Sequence, residues 1–280
     1  MSTLYITDLD GTLLNKQSAV SEHSAKIINQ LIDQGALFSV ATARSAASAM
    51  EKLSDIRFHL PVALMNGVLM FDTHTHTYTH HIAIDNVNAA TVMDVMDKYG
   101  QTAYVFTFAQ NQLYANYKCF STQFQQKFCD ERKSSGLKKF EMVDTFQSLL
   151  GVRDVIFFSM TGTYEQLLPI CDELKTVTQG LNILMYKDFV EGIWFLEIFD
   201  ASASKASALH YLKQYSGASE TVCFGDNYND VDMMHTADRS YAVANAVDGA
   251  KQAATAVIGY NYHDAVAEFI REDYKKADIK

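Results

Sequence analysis

Two prolines, one tryptophan and four cysteines in 280 residues are the scarcities of this chain. With so little proline, no linker declares itself by composition, and a division into domains has to be read from the rhythm of the elements. Cys119, Cys129, Cys171 and Cys223 stand far apart, with no CxxC pair and no zinc spacing, which argues against a disulfide framework and a structural zinc site. Cys223 sits in an apolar run and reads as a small buried hydrophobe. No apolar stretch reaches the ~20 residues of a membrane-spanning helix, and Met1-Ser2-Thr3 leads into the first strand without a basic or apolar leader. Basic runs are missing too. The formal net charge is -10, from 23 Lys and Arg against 33 Asp and Glu. No nucleic-acid partner is expected on that balance, and any phosphate must be met by a local basic pocket. The chain is expected to be soluble and cytoplasmic, a monomer or homodimer, with no membrane partner.

What is present is a strong alternation of elements. Apolar content of 48% is ordinary for a globular protein, and the length suffices for two domains. Spacing predicts strands at 4–7, 36–41 and 61–65, alternating with helices at 21–34 and 45–53. The rhythm returns late: helix 204–215, strand 221–224, helix 230–236, strand 241–243, helix 248–254, strand 256–258 and helix 264–271. Such βαβα order, with near-continuous apolar strands, implies an α/β, Rossmann-like doubly wound parallel sheet built from residues 1–82 and 199–280. The middle has another texture. A helix at 88–99, a hairpin of 102–108 and 112–117 around Ala109-Gln110-Asn111, a polar helix at 121–132, a strand at 153–160, a helix at 164–177 and strands at 182–186 and 193–198 predict an inserted α+β module at 83–198. Its strands are expected to be antiparallel, with helices on one face.

The chemistry gathers after the strands of the expected parallel sheet, where open α/β sheets bind ligands. Asp8-Leu9-Asp10-Gly11-Thr12-Leu13-Leu14 follows the first strand. Side chains at i and i+2 of a strand share a face, so Asp8 and Asp10 are expected to face one reacting centre. Carboxylates that close need a cation or a shared proton between them, and a divalent metal suits. A calcium loop fits poorly, because Thr12, Leu13 and Leu14 stand where further ligands belong. Ala41-Thr42-Ala43-Arg44 offers a hydroxyl and free N–H groups at a helix start, or simply an N-cap at Thr42. Lys205 enters a helix at Ala203-Ser204-Lys205; taken alone it would be a solvated charge. Gly225-Asp226-Asn227-Tyr228-Asn229-Asp230 sets two more carboxylates at a loop-to-helix junction, where acidic residues also cap helices. Together these pieces can hold Mg²⁺ and surround a phosphoryl group, leaving an in-line nucleophile opposite the leaving oxygen.

The ordered set DLDGTLL, ATAR, Asn66-Gly67, Ser204-Lys205, GDNYNDVDM and Ala244-Asn245-Ala246 resembles the haloacid dehalogenase superfamily, specifically its Cof-type sugar-phosphate phosphatases, over essentially the whole chain. The resemblance implies a Mg²⁺-dependent phosphatase acting on small phosphorylated metabolites, sugar phosphates or cofactor phosphates, through an aspartyl-phosphate intermediate. It implies Asp8 as nucleophile and Asp10 as acid and base. The metal would be held by Asp8, the backbone carbonyl of Asp10 and Asp226, with Asp230 as a further partner. Thr42, the N–H of Ala43, Arg44, Lys205 and Asn229 would bind phosphate and substrate, and the inserted module would be a cap. Ala43 stands where the family commonly has glycine. A phosphotransferase or phosphomutase of the same fold, or a phosphometabolite-binding protein without turnover, are the alternatives.

Two features tempt elsewhere. The run from Thr73 to His81 carries His74, His76, His80 and His81, and its Thr/Tyr spacing predicts an exposed hairpin before a metal cluster. Lys133, Lys138 and Lys139 read as a solvated basic loop of the module.

Overall fold

Leu4, Tyr5 and Ile6 are completely buried, as a strand must be when helices cover both faces of its sheet. They form the middle of β1 (Thr3–Thr7). The computed structural model describes residues 2–120, 123–132, 136–187 and 192–278. It divides into two compact units, Met1–His80 with Ala203–Lys280, and His81–Ser202.

In the first unit, α1 (Glu22–Asp33) starts at Ser21, whose Oγ accepts the Ser24 N–H at 2.9 Å, and buries Ile27, Ile28, Leu31 and Ile32 along one stripe. β2 (Leu37–Val40) and α2 (Ala46–Leu53) follow. β3 (Val62–Leu64) meets the parallel sheet through one bridge, Ala41 to Ala63. Its full pairing is antiparallel, with β4 (Leu69–Asp72). The third strand of the expected parallel sheet therefore turns away after one residue pair, because the left-handed turn Met65–Gly67 reverses the chain. β4 continues to β5 (Thr77–His81), giving the order β3-β4-β5. His74 and His76 lie in the connection between β4 and β5. Among the described residues, no grouping of metal-ligand type includes a histidine.

The second unit comprises α3 (Asn86–Lys98), β6 (Ala103–Ala109), β7 (Gln112–Tyr117), α4 (Gln123–Arg132), β8 (Lys139–Met142), β9 (Asp154–Gly162), α5 (Tyr164–Val177), β10 (Leu181–Lys187) and β11 (Trp194–Asp200). Its six-stranded sheet runs β10-β11-β9-β6-β7-β8. Gln110 and Asn111 both take positive φ (50° and 58°), the two-residue turn whose twist suits a hairpin. β7 and β8 are parallel, so the sheet is mixed where an antiparallel one was expected. β8 itself has no sequence signal. Lys138, just before it, is 2% exposed, with its ammonium 5.1 Å from the Phe106 ring centre and 5.0 Å from that of Phe140. It belongs to the interior and not to a solvated loop; Lys139 is exposed, and Lys133 lies outside the described residues, as do positions 121 and 122 of the expected polar helix. Met93, Met96, Leu167, Ile170 and Leu174 pack with Val105, Phe158, Leu196 and Ile198 as this unit's own core.

The chain then returns to the first unit with α6 (Lys205–Ser216), β12 (Glu220–Gly225), α7 (Val231–Thr236), β13 (Arg239–Ala242), α8 (Asp248–Ala253), β14 (Ala256–Val257) and α9 (Ala265–Asp278). The five strands β14-β13-β12-β1-β2 pair in parallel throughout. From β1 the chain winds outward to β2, then resumes on the opposite side at β12. The crevice between β1 and β12 is therefore a topological switch point, open at the carboxyl ends of both strands. The fold is α/β, a Rossmann-like doubly wound sheet with an α+β unit inserted. Among the described residues, no helix is long and apolar enough to cross a membrane.

Candidate active site

Asp8 and Asp226 leave β1 and β12 at that switch point, and the Asp8 N–H donates to the Phe224 carbonyl at 3.0 Å. Asp8 is 6% exposed. Its Oδ1 lies 2.6 Å from Lys205 Nζ, which reaches Asp230 Oδ1 at the same distance. Lys205 is placed by a reciprocal cap: Ser204 Oγ accepts the Ser207 N–H at 3.0 Å, and Ser207 Oγ accepts the Ser204 N–H at 2.9 Å. Lys205 thus begins α6 in one fixed direction, 1% exposed. Asp230 is 0% exposed and also uses its Oδ2, which accepts the N–H groups of Asp226 at 2.9 Å and Asn227 at 3.0 Å. It ties the loop after β12 to the lysine.

Carboxylate oxygens of Asp8, Asp226 and Asp230 lie within 4.8 Å of one another. One lysine faces three acids, and the electrostatics show the excess. Burial pushes the Asp8 carboxyl up to about 8, with Lys205 pulling it down and Asp230 and Asp226 pushing further up. Burial, then the charge of Asp230, pushes Asp226 up to about 6. Burial opposes the charge on Lys205, but Asp8 and Asp230 outweigh it and hold the ammonium above the usual lysine range. A site so short of positive charge, with hard oxygen donors, fits a hard divalent cation. Both Asp230 oxygens already have donors, so Asp8 and Asp226 are the side chains best able to ligate it.

Two glycines make the packing possible. A Cβ on Gly11, at φ 80°, would stand 2.3 Å from Asp226 Oδ2, and one on Gly225 would stand 2.5 Å from Asp230 Cβ. The Asp226 carboxylate also accepts from Thr12 Oγ1 at 3.1 Å.

Asp10 behaves differently from Asp8. β1 stops at Thr7, and the chain enters a tight turn over Leu9–Leu13, closed by the Leu14 N–H on the Leu9 carbonyl at 2.9 Å. The alternation that would set Asp8 and Asp10 on one face is lost. The Asp10 side chain is half exposed and paired with Arg44, Nε to Oδ2 at 2.7 Å and Nη2 to Oδ1 at 2.6 Å. Arg44, expected toward substrate, clamps this carboxylate in a bidentate fork.

Thr42 is 1% exposed; its N–H donates to the Ala63 carbonyl at 3.0 Å and its Oγ1 accepts the Arg44 N–H at 3.2 Å. The cap of α2 is Ser45, so Thr42 is no N-cap and Ala43 and Arg44 lie in the loop before the helix. Ala43 is exposed and is not among the residues with positive φ, so its loop does not need glycine. Asn229, exposed in the turn Tyr228–Asp230, donates from Nδ2 to Asn66 Oδ1 at 3.4 Å. Sequence reasoning did not assign Thr12, Asn66 or Asn245 to the site. Asn245 Nδ2 donates to the Gly11 carbonyl at 2.7 Å and its Oδ1 accepts the Asn261 N–H at 3.1 Å; Asn261 Nδ2 in turn donates to the Leu14 carbonyl at 2.7 Å. Two asparagines thus hold the middle and the exit of the turn that follows Asp8. The Asn66-Gly67 and Ala244-Asn245-Ala246 motifs were the available signals.

A family model described as haloacid dehalogenase-like hydrolase matches residues 5–270. A 5-amino-6-(5-phospho-D-ribitylamino)uracil phosphatase of Bacillus subtilis is 24% identical to this chain, over 94% of it and 95% of its own length. A pyridoxal phosphate phosphatase of Escherichia coli is 23% identical, over 94% and 95% respectively. Among solved structures, a haloacid dehalogenase-like hydrolase from Bacteroides thetaiotaomicron has the same fold, with a TM-score of 0.78 at 22% identity, covering 98% of this chain and 100% of its own.

Proposed function

The chain belongs to the haloacid dehalogenase-like hydrolase family, and on that premise we propose that it is a Mg²⁺-dependent phosphatase of small phosphorylated metabolites, sugar phosphates or cofactor phosphates, working through an aspartyl phosphate. The observation that carries the reading is the buried Asp8 at the switch point, 2.6 Å from Lys205 and grouped with Asp226. Phosphatase names among the relatives, one for a ribitylaminouracil phosphate and one for pyridoxal phosphate, support the substrate class.

Asp8 attacks phosphorus in line with the leaving oxygen, and Asp10 donates a proton to that oxygen as the ester bond breaks. Asp10 then takes a proton from the water that hydrolyses the aspartyl phosphate, returning free Asp8 and phosphate. Lys205, Thr42, the Ala43 N–H and Asn229 hold the phosphoryl oxygens. Arg44 fixes the direction of the Asp10 carboxylate. Asp8, Asp226 and the backbone carbonyl of Asp10 would hold Mg²⁺, with Asp230 anchoring the loop that carries Asp226, and the ion would offset the charge that otherwise keeps an anionic nucleophile from an anionic phosphate.

Phosphate release from a panel of sugar phosphates, nucleotides and pyridoxal phosphate, with Mg²⁺ or with EDTA, tests the reading. Asp8→Asn should lower kcat at least about 10³-fold while the fold persists. An active Asp8→Asn variant would sink the covalent mechanism, and turnover undiminished by EDTA would remove the metal.

A further inference from the structure

After β3, three consecutive residues take positive φ: Met65 (51°), Asn66 (55°) and Gly67 (91°). Side chains rarely accept that backbone, and where they do the surroundings enforce it. Here the turn is pinned from two sides. The Met65 N–H donates to the Arg44 carbonyl at 3.0 Å and the Asn66 N–H to the Thr42 carbonyl at 2.9 Å. On the other side Gly67 abuts the start of α6; a Cβ there would stand 2.3 Å from the Ser204 carbonyl oxygen. The segment is therefore wedged between the Thr42 loop and the helix start that carries Lys205.

That wedge places the Asn66 side chain, in a residue 7% exposed, beside Asn229. Its Oδ1 accepts from Asn229 Nδ2 at 3.4 Å, and no described residue accepts from its own Nδ2. Two amide N–H donors are thus left over next to the residues that the proposed function assigns to the phosphoryl group. The nitrogen is not sealed in the interior, so a ligand oxygen can reach it, and an anionic oxygen is the strongest partner such a donor can find.

We propose that Asn66 is a further phosphoryl-binding residue. It donates through Nδ2 to an oxygen of the bound phosphoryl group, and through Oδ1 it holds the Asn229 amide in reach of the same group. The inference rests on the phosphatase reading above. A purely conformational role, an asparagine chosen only because it tolerates the left-handed backbone, makes a different prediction.

Two variants of the full chain separate them. Asn66→Gly keeps the backbone at ease and removes the amide. Asn66→Asp keeps the shape and the acceptor for Asn229, but replaces the donors with negative charge. The probes are inorganic phosphate binding by calorimetry in Mg²⁺, kcat and KM on a hydrolysed panel substrate, and the melting temperature. Phosphate affinity should fall about tenfold in Asn66→Gly and further in Asn66→Asp, with melting temperature retained. Phosphate binding and kcat/KM within about twofold of wild type in both variants would overturn the inference. So would a loss of melting temperature in Asn66→Asp with phosphate affinity intact. If wild type hydrolyses nothing yet binds phosphate, the phosphatase reading fails and calorimetry still decides Asn66. If it does neither, both fail.

Discussion

At the residue scale, the site is a charge imbalance held in place by packing. Lys205 pairs with both Asp8 and Asp230, all three being buried. Lys205→Met keeps the bulk of the side chain but strands two carboxyls in the interior. Stability without divalent cation should fall by about 3–5 kcal/mol, the usual effect of removing one partner from a buried ion pair. Added Mg²⁺ should recover part of the loss in a melting experiment, and equal losses with and without Mg²⁺ would count against a metal at Asp8 and Asp226. Gly11→Ala tests the packing. Its Cβ would stand 2.3 Å from Asp226 Oδ2, and displacement of that carboxylate by about an ångström should cost about 10²-fold in kcat/KM. Activity assays across Mg²⁺ concentrations check it. Asp8, Thr42 and Asp226 could be picked out as candidates from the sequence because each follows an apolar run closely, whereas Lys205 stood out only through the ordered set of motifs, and Thr12, Asn66 and Asn245 were not assigned. Their pairing was not legible. The i, i+2 rule holds only inside a strand, and β1 stops at Thr7, ahead of a turn that Asn245 and Asn261, more than 230 positions away, grip by hydrogen bonds.

At the element scale, one anchor invites a test. α9 carries Asp273, whose carboxylate accepts from Tyr5 on β1 at 2.9 Å and from both Nη atoms of Arg239 on β13, at 2.7 and 2.8 Å. Arg239 also reaches Glu220 on β12 at 2.7 Å, so Asp273 ties β1 to β13 and, through Arg239, to β12. Burial works against the Asp273 carboxylate, but hydrogen bonds from Arg239 and Tyr5 outweigh it and hold the group below the usual carboxylate range. A depressed pKa adds stability above the unfolded value of about 3.9, and that stability is lost as pH falls through the folded value. Asp273→Asn should therefore lower stability at pH 7 by about 1–3 kcal/mol, discounted for partial exposure, and flatten the acid limb of the stability curve below about pH 4. Denaturant melts at pH 7 and pH 3 check both; an unchanged acid limb would assign the acid sensitivity to other carboxylates. The elements themselves were mostly legible. Periodicity marked α1 and α5, and Gln110-Asn111 marked the β6–β7 hairpin. β8 was not, because a four-residue strand with two charges has no pattern of its own and exists only by pairing with β7. β3 was misjudged because the left-handed turn after it is dictated by contacts with Thr42, Arg44 and Ser204, none of them local.

At the scale of the whole molecule, the net charge of -10 bears on how an anionic substrate arrives. The site does not reverse the sign: among the described residues, the ion pairs of Asp8, Asp10 and Asp230 are with Lys205 and Arg44, and Asp226 adds a further carboxylate. A bound Mg²⁺ would bring the site near neutrality, while the rest of the surface stays negative. A dianionic phosphate ester therefore approaches against repulsion until it reaches the pocket. Salt shortens the range of that repulsion, from a Debye length of about 30 Å at 0.01 M to about 8 Å at 0.15 M. The contacts made after arrival involve buried groups and are screened far less. The expected result, at saturating Mg²⁺, is a kcat/KM for a hexose phosphate that rises about twofold between about 10 and about 150 mM NaCl, carried by KM with kcat unchanged. A neutral salt series on wild type measures it directly. A fall in kcat/KM over the same range would mean that a positive field steers the substrate despite the net charge, and Arg44 and Lys205 would be the first residues to neutralise in finding it.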